Sequence, residues 1–459
     1  MATSQDLPRS HDASESKLSR GLQGRHIQLI AIGGTIGVGL FLGSAKAIHN
    51  AGPGLLLSYA LGGVAVFFIM RALGELLTYR PVAGSFASYA AEFISPFTGY
   101  LTGWTYWFTW VVTGMAELTA IGIYVHYWLP DTPQWIPALV ALFVLYGANL
   151  LAVRVYGELE FWFALIKVAT IVSLIGAGLA VIFFNIGDLG QTASFSNLWS
   201  HGGFLPFGMM GVILTLQIVM FAYTGVELIG VTAGEAQNPS EVLPRATNNV
   251  IYRILIFYIG ALVVIMALVP WNQLSPTMSP FVYVFEKIGV PAAAAVINLV
   301  VITAAASSCN GGIFSTGRML YTLGQNGHAP AALGKLNARH VPAAGIHLSA
   351  FVMLLGVGLN YLVPEEAFSW ITSVAVTGSL WTWIVIMFSH VKYRQAVAAG
   401  RAQAVSYRMP GAPIANWVVI VFLLAVTAGL ALDKGTRVAL YVAPVWFGLL
   451  AIGYLRARR

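Results

Sequence analysis

The sequence predicts an all-α membrane protein with twelve transmembrane helices. Three observations carry that reading: the scarcity of charge, the spacing of apolar runs, and the one-sided placement of the cations. Of 459 residues, 58% are apolar and only 9% charged, at 24 Lys and Arg and 17 Asp and Glu. An ordinary soluble domain carries about 25%. The mean hydropathy of +0.77 agrees, as do the 48 glycines, because glycine is commoner in membrane helices than in soluble ones. A soluble enzyme, a disordered scaffold and a disulfide-built secreted module are excluded; the single Cys309 permits no internal disulfide. The net charge of +7 reads as basic loops on one side of a membrane, not as a nucleic-acid surface.

A spanning helix needs about 20 mostly apolar residues. Apolar runs between polar or Pro/Gly breaks fall near 27–48, 53–77, 97–128, 135–152, 160–184, 209–232, 250–270, 291–322, 342–362, 366–390, 414–432 and 438–456. All are read as helices, since an open sheet leaves backbone groups unpaired in lipid. The third and eighth are long enough to tilt or to project beyond the bilayer. Residues 185–208 and 271–290 form the longer connections on one side, 323–341 and 391–413 on the other. Residues 1–26 are polar, without the apolar core of a signal peptide, and read as a tail; 27–456 reads as one membrane domain. Nineteen of the 24 cations fall in the tails and even-numbered loops, four in the odd-numbered loops, and Lys167 lies inside a span. Such a bias predicts both termini in the cytoplasm.

The first span contains Gly33-Gly34-Thr35-Ile36-Gly37-Val38-Gly39-Leu40-Phe41. Each glycine costs roughly 1 kcal/mol relative to alanine in a helix interior. A helix broken in mid-membrane accounts for them. Close helix packing does so equally well, with Gly33/Gly37 and Gly39/Gly43 as small-residue pairs. A dinucleotide fingerprint fits less well, because no strand–turn–helix unit surrounds it. The sixth span has a second weak point, Phe221-Ala222-Tyr223-Thr224-Gly225-Val226-Glu227. Two interruptions five helices apart fall at corresponding positions of two five-helix repeats, 27–184 and 209–390, with 414–456 as two further helices. That pattern points to an inverted-repeat transporter with its site at mid-membrane. It suits a zwitterion: a half-helix N-terminus presents N–H groups to a carboxylate, and unwound carbonyls accept from an ammonium.

Glu117, Lys167 and Glu227 stand out as charges within spans, each costly enough to be a functional candidate. Lys167 either snorkels to the interface, or is held among helices as a fixed or titrating cation. For Glu117 and Glu227, proton-linked or structural roles outweigh direct contact with substrate. Ser307, Ser308 and Asn310 either line a cavity near Lys167 or hydrogen-bond between helices. Most tryptophans read as interface belts and packing. No His/Cys/Asp/Glu group has metal-ligand spacing, no glycine-rich loop precedes Lys-Ser/Thr, and no nucleophile has a base. No metal, cofactor, ATP-driven step or enzymatic chemistry is expected.

Several strings resemble bacterial amino acid permeases of the amino acid–polyamine–organocation superfamily. They include Arg25 to Phe41, Ala51-Gly52-Pro53, Met70-Arg71-Ala72-Leu73-Gly74-Glu75, Gly157-Glu158-Leu159-Glu160-Phe161-Trp162-Phe163, Glu227 to Glu235, Pro244-Arg245-Ala246 and Arg318-Met319-Leu320. The resemblance runs from about Leu22 to the C-terminus. It implies the leucine-transporter-type fold, with discontinuous helices one and six, and import of an amino acid by alternating access, usually with protons, across the bacterial cytoplasmic membrane. It places the substrate carboxylate at the N–H groups of Gly37, Val38 and Gly39, and the ammonium at the carbonyls of Ile36, Phe221, Ala222 and Thr224. Phe221 would cover the site from outside, with Met115, Tyr223 and Ser308 lining it. Lys167 matches the lysine that such permeases place where sodium-coupled relatives hold an ion. Val38 departs from the pattern, since many relatives carry Thr or Ser there. Residues 103–116 with Ser307-Ser308 and 314–316 look most like permeases for D-serine, D-alanine and glycine. Residues 117–120 and 246–253 look closer to aromatic and threonine/serine permeases. A small neutral amino acid is expected first; aromatic, histidine or threonine transport, exchange without protons, a channel and a non-transporting sensor are the rivals. A monomer in contact with lipid is expected.

Overall fold

The computed structural model describes residues 36–82, 84–151, 153–232, 247–276, 278–287 and 291–457. The tail, the first part of run one with Gly33, Gly34 and Thr35, and the strings Ala233-Gly234-Glu235 and Pro244-Arg245-Ala246 lie outside the described residues.

Every regular element among the described residues is helical. In chain order they are α1 (Val38–Phe41), α2 (Gly43–Ala51), α3 (Leu55–Tyr79), α4 (Ser85–Phe93), α5 (Pro96–Val125), α6 (Trp135–Asn149), α7 (Val153–Phe184), α8 (Gly187–Thr192), α9 (Gly208–Ala222), α10 (Leu228–Thr232), α11 (Val250–Arg253), α12 (Ala261–Leu268), α13 (Pro280–Lys287), α14 (Pro291–Gln325), α15 (Ala343–Leu362), α16 (Pro364–Ala398), α17 (Ile414–Gly429) and α18 (Val438–Ala457). Ile254–Gly260 forms a wider π turn between α11 and α12. Eight apolar helical segments among the described residues are long enough to cross a membrane, and α6, α9 and α17 are shorter apolar helices. The protein is a multi-pass helical membrane protein.

Helix α5 is the hub, packing most extensively on α14 and α16. Close approach depends on glycine. A Cβ on Gly312 of α14 would lie 2.8 Å from the Trp110 ring, and one on Gly378 of α16 would strike the Thr109 hydroxyl. By contrast α7 and α18 leave much of their surface to lipid.

Among the described residues, helix begins at the first glycine-containing weak point and is interrupted at the second. Gly37 is extended (φ −117°, ψ −157°), and α1 starts at Val38. Helix α9 stops at Ala222, and residues 223–227 form turns before α10 begins. There Gly225 has φ +98°, a conformation that costs glycine little and other residues much. Bonds to the third residue back, such as Thr224 N–H to the Phe221 carbonyl (2.9 Å), replace helical ones. The two interrupted helices touch through small residues: a Cβ on Gly39 would lie 2.6 Å from Ala222 Cα, and one on Gly43 2.8 Å from Ile218 Cγ1.

Helix ends differ from the apolar runs. Helix α7 begins at Val153, seven residues before its run, and α16 continues to Ala398, eight beyond. Hydropathy marks the bilayer, whereas a helix propagates into polar residues as long as its backbone bonds continue. The extension of α16 has a structural use. Glu75 of α3, 2% exposed, accepts from His390 Nε2 (2.9 Å), Arg394 Nη2 (3.1 Å) and the Met409 N–H (2.7 Å). That cluster ties α3, α16 and the connection to α17 together at one face.

Gly378→Ala should lower the melting temperature in detergent by an amount equivalent to about 1–3 kcal/mol of overpacking. Adding Thr109→Ala should recover most of it; no recovery would show that this contact does not set the α5–α16 distance.

Candidate functional site

The site grows from the N-terminus of α1. The Val38 N–H donates to Glu117 Oε2 (3.3 Å). Glu117, on α5, is 2% exposed and hydrogen-bonds Ser308 of α14. A Cβ on Gly37 would strike Glu117 Oε1 and lie 3.0 Å from Ser308 Oγ, so position 37 accepts no side chain without moving that carboxylate. The structure therefore brings Gly37, Val38, Glu117 and Ser308 together. Met115 is two residues from Glu117, roughly 200° around the helix. It packs on Gly356 of α15, whose added Cβ would lie 2.6 Å from Met115 Cβ, so it does not join the group at Gly37.

The carbonyl on the other side of the break faces a cation. Lys167 of α7, fully buried, donates to the Ile36 carbonyl (3.2 Å) and to Ser307 Oγ (2.9 Å). Ser307 donates onward to Glu160 Oε1. Asn310 Nδ2 donates to Glu160 Oε2 (3.3 Å), and Asn149 Nδ2 to Asn310 Oδ1 (2.7 Å). Lys167 thus does not snorkel; its countercharge is Glu160, 1% exposed. Sequence reasoning missed Glu160 because its run began there, placing the residue at the interface. The signal was present: Glu160 and Lys167 are seven residues apart, two turns on one helix face.

At the second break most groups already have partners. The Phe221 carbonyl accepts from the Thr224 N–H (2.9 Å), and the Ala222 carbonyl from Tyr258 Oη (3.1 Å). A carbonyl has two lone pairs, so one such bond leaves a second position. Thr224 Oγ1 pairs with Ser379 Oγ of α16 (3.0 Å). Tyr223 turns to the other side: its hydroxyl donates to the Tyr59 carbonyl (2.9 Å) and its ring packs on Tyr59 and Tyr258, so it lines an aromatic cluster and not the space by Gly37. Glu227 Oε2 accepts from the Gly225 N–H (3.2 Å) and from Trp383 Nε1 of α16 (3.1 Å). Glu227 thereby pins the unwound turn. Ser379 and Trp383, more than 150 residues away in sequence, carry no signal that would have paired them with it.

Beyond these breaks, a cavity of about 490 Å³ lies between α2, α9, α16 and the α17–α18 connection, with Lys46, Asn50, Gln217, Glu365, Phe368 and Asp433 among its walls. Gly43 and Ile218 also line it, and their contact, with that of Gly39 and Ala222, closes its floor toward Val38.

Two non-helical stretches of backbone thus lie beside a buried Lys and buried Glu side chains. Residues 26–459 match the family model described as Amino acid permease. The chain belongs to the amino acid permease family. Curated relatives include "Uncharacterized amino acid permease YtnA" of Bacillus subtilis, 52% identical over 96% of this chain and 95% of that protein. "Probable threonine/serine transporter YbxG" of the same organism is 48% identical over 96% of this chain and 95% of its own. "Aromatic amino acid transport protein AroP" of Escherichia coli is 46% identical over 96% of each. This permease is a transporter of amino acids and not an enzyme.

Lys167→Met should destabilise the permease by about 3–5 kcal/mol, the usual cost of leaving one buried charge uncompensated. Glu160→Gln in the same chain should restore most of the melting temperature; purely additive losses would mean that the two residues are not energetically paired.

Proposed function

We propose that this permease imports a neutral amino acid into the bacterial cytoplasm by proton symport and alternating access, favouring small side chains such as glycine, alanine and serine, including their D-forms. The observation that carries the reading is the pair of interrupted helices in contact at Gly39 and Ala222, with a half-helix N-terminus at Val38. The substrate carboxylate takes the N–H groups of Gly37, Val38 and Gly39. Its ammonium takes free lone pairs on the carbonyls of Ile36, Phe221, Ala222 and Thr224. Both interactions use backbone dipoles aligned by the half-helices. Phe221, buried at 3% exposure, covers the site from outside.

Architecture supports the same reading. Eight long segments, one of them the 42-residue Val38–Tyr79, and three shorter apolar helices among the described residues support a reading of twelve spans, with repeats over 27–184 and 209–390 followed by α17 and α18. The cation bias puts the termini and the Glu75 face in the cytoplasm. Coupling uses protons through Lys167, Glu117 and Glu227, because the Lys167 ammonium on the Ile36 carbonyl supplies the positive charge that a metal ion would otherwise bring. Small substrates are favoured because Glu117 and Ser308 crowd Gly37, and a probable threonine/serine transporter is among the relatives. Aromatic transport is the second reading, favoured by the likeness to AroP.

Purified permease in liposomes should accumulate labelled glycine, alanine or serine only under an inward proton gradient, with phenylalanine at least tenfold slower. Preference for phenylalanine would select the second reading, uptake only against internal substrate would make it an exchanger, and no uptake of any amino acid would sink the proposal.

A further inference from the structure

The Val38 N–H is the donor a substrate carboxylate needs, and in this structure a carboxylate of the protein's own holds it. Glu117 Oε2 lies 3.3 Å from Val38 N, and Oε1 lies against the Gly37 Cα where no Cβ would fit. On the other side of the same two residues, the Lys167 ammonium bonds the Ile36 carbonyl (3.2 Å). The protein thus presents to the break the two charged ends of an amino acid, one from α5 and one from α7. A backbone N–H carries one hydrogen, so Glu117 and a substrate carboxylate compete for it.

We propose that Glu117 is an internal occupant of the substrate's carboxylate position, and that its displacement is the proton-coupled step. This rests on the permease reading, in which the amino acid's carboxylate binds at α1. When that carboxylate takes the Val38 N–H, Glu117 loses its backbone donor and gains a negative neighbour within a few ångströms. Desolvation and like charge both disfavour a second carboxylate there. Glu117 resolves the conflict by taking one proton from the outer medium. Its carboxylate becomes a carboxylic acid that donates to Ser308 Oγ and no longer needs Val38. Return of Glu117 to Val38 after the substrate leaves inward releases that proton to the cytoplasm, giving one proton per amino acid. Ser308 and Cys309 of α14, Lys167 of α7, and Tyr124 further along α5 are the polar or titratable groups that act on Glu117. Lys167 holds the other side of the break through its own bonds to the Ile36 carbonyl and Ser307 Oγ, with Glu160 beyond Ser307. Glu117 is therefore more than a structural tie between α1 and α5: it makes binding of substrate and binding of a proton the same event.

The sign follows from linkage. A substrate whose binding takes up one proton binds more tightly as pH falls. On the alkaline limb its apparent Kd rises about tenfold per pH unit. The decisive experiment measures glycine or serine affinity against pH for the purified full-length permease, with proton uptake read from a dye in weakly buffered detergent solution. Wild type should take up one proton per bound amino acid and show that slope. Glu117→Gln should bind with a flat pH profile and no proton uptake, and in liposomes it should lose gradient-driven accumulation. Glu117→Asp, one methylene too short to reach Val38, should keep a titrating carboxylate yet bind substrate more tightly than wild type at high pH, because the competitor has withdrawn. A Glu117→Gln protein that still takes up a proton overturns the proposal, as does a Glu117→Asp protein with the wild-type profile; the second holds even if Glu117→Gln binds nothing. If wild type binds no amino acid at all, the permease reading fails instead.

Discussion

A helix broken inside a membrane frees backbone N–H and carbonyl groups that lipid cannot satisfy, and each such group left alone costs several kcal/mol. The rest of this structure is arranged around that constraint. The chain is non-helical at Ile36 and Gly37, ahead of α1, and again over residues 223–227. At each place the exposed groups are met by side chains from other helices. Glu117 takes the Val38 N–H, Lys167 the Ile36 carbonyl, Tyr258 the Ala222 carbonyl, and Glu227 the Gly225 N–H. At these two places buried charge is the counterpart of broken backbone, and Lys167 is further offset through Ser307 and Glu160.

The two breaks are served by different parts of the molecule. The first is tied to α5, α7 and α14 through Glu117, Lys167, Ser307 and Ser308. The second is tied to α16 through Ser379 and Trp383, and to the π turn through Tyr258. Between the two, contact runs through Gly39–Ala222 and Gly43–Ile218, where dispersion between small groups is the main attraction. Dispersion is weak per atom pair and carries no directional penalty when surfaces slide or part. A path that opens along this seam leaves each break with its own set of polar partners. That separation of strong, directional bonds from a weak, smooth seam is what alternating access needs at a site built from two half-helices.

Much of the fold and of the first break was legible in the sequence because both violate local preference. Four glycines in an apolar run, and a glycine followed by an acid in another, are poor helix by composition alone. The scarcity of charge marked the membrane with equal economy. What escaped had physical reasons. Glu160 fell at the edge of a hydropathy window although its helix starts seven residues earlier, so burial was hidden by a boundary rule that measures lipid and not helix. Glu75 lay inside the second run, yet its partners His390, Arg394 and Met409 come from more than 300 residues away. Met115 and Tyr223 were grouped with the site through the family resemblance; helix rotation turns Met115 toward Gly356, and the Tyr223 hydroxyl is drawn to the Tyr59 carbonyl. Ser379 and Trp383 needed a tertiary structure, since nothing local distinguishes them.

Recognition through backbone also explains why overall identity says so little about side-chain preference in this family. The charged ends of any α-amino acid are the same, and in the proposed reading they face main-chain groups whose positions depend on glycines and helix ends. A probable threonine/serine transporter and an aromatic amino acid transporter stand at 48% and 46% identity to this chain, close enough for all three to share that frame. Selectivity among side chains then rests on the few groups that crowd the space beside it, where a methylene in an apolar pocket is worth only about 1–3 kcal/mol. In this chain Ser308, Thr224 with its Ser379 partner, and Phe221 are among the uncharged side chains at the breaks. On the proposed reading a handful of substitutions among such residues re-tunes the substrate, whereas Gly37 admits no side chain without moving the Glu117 carboxylate.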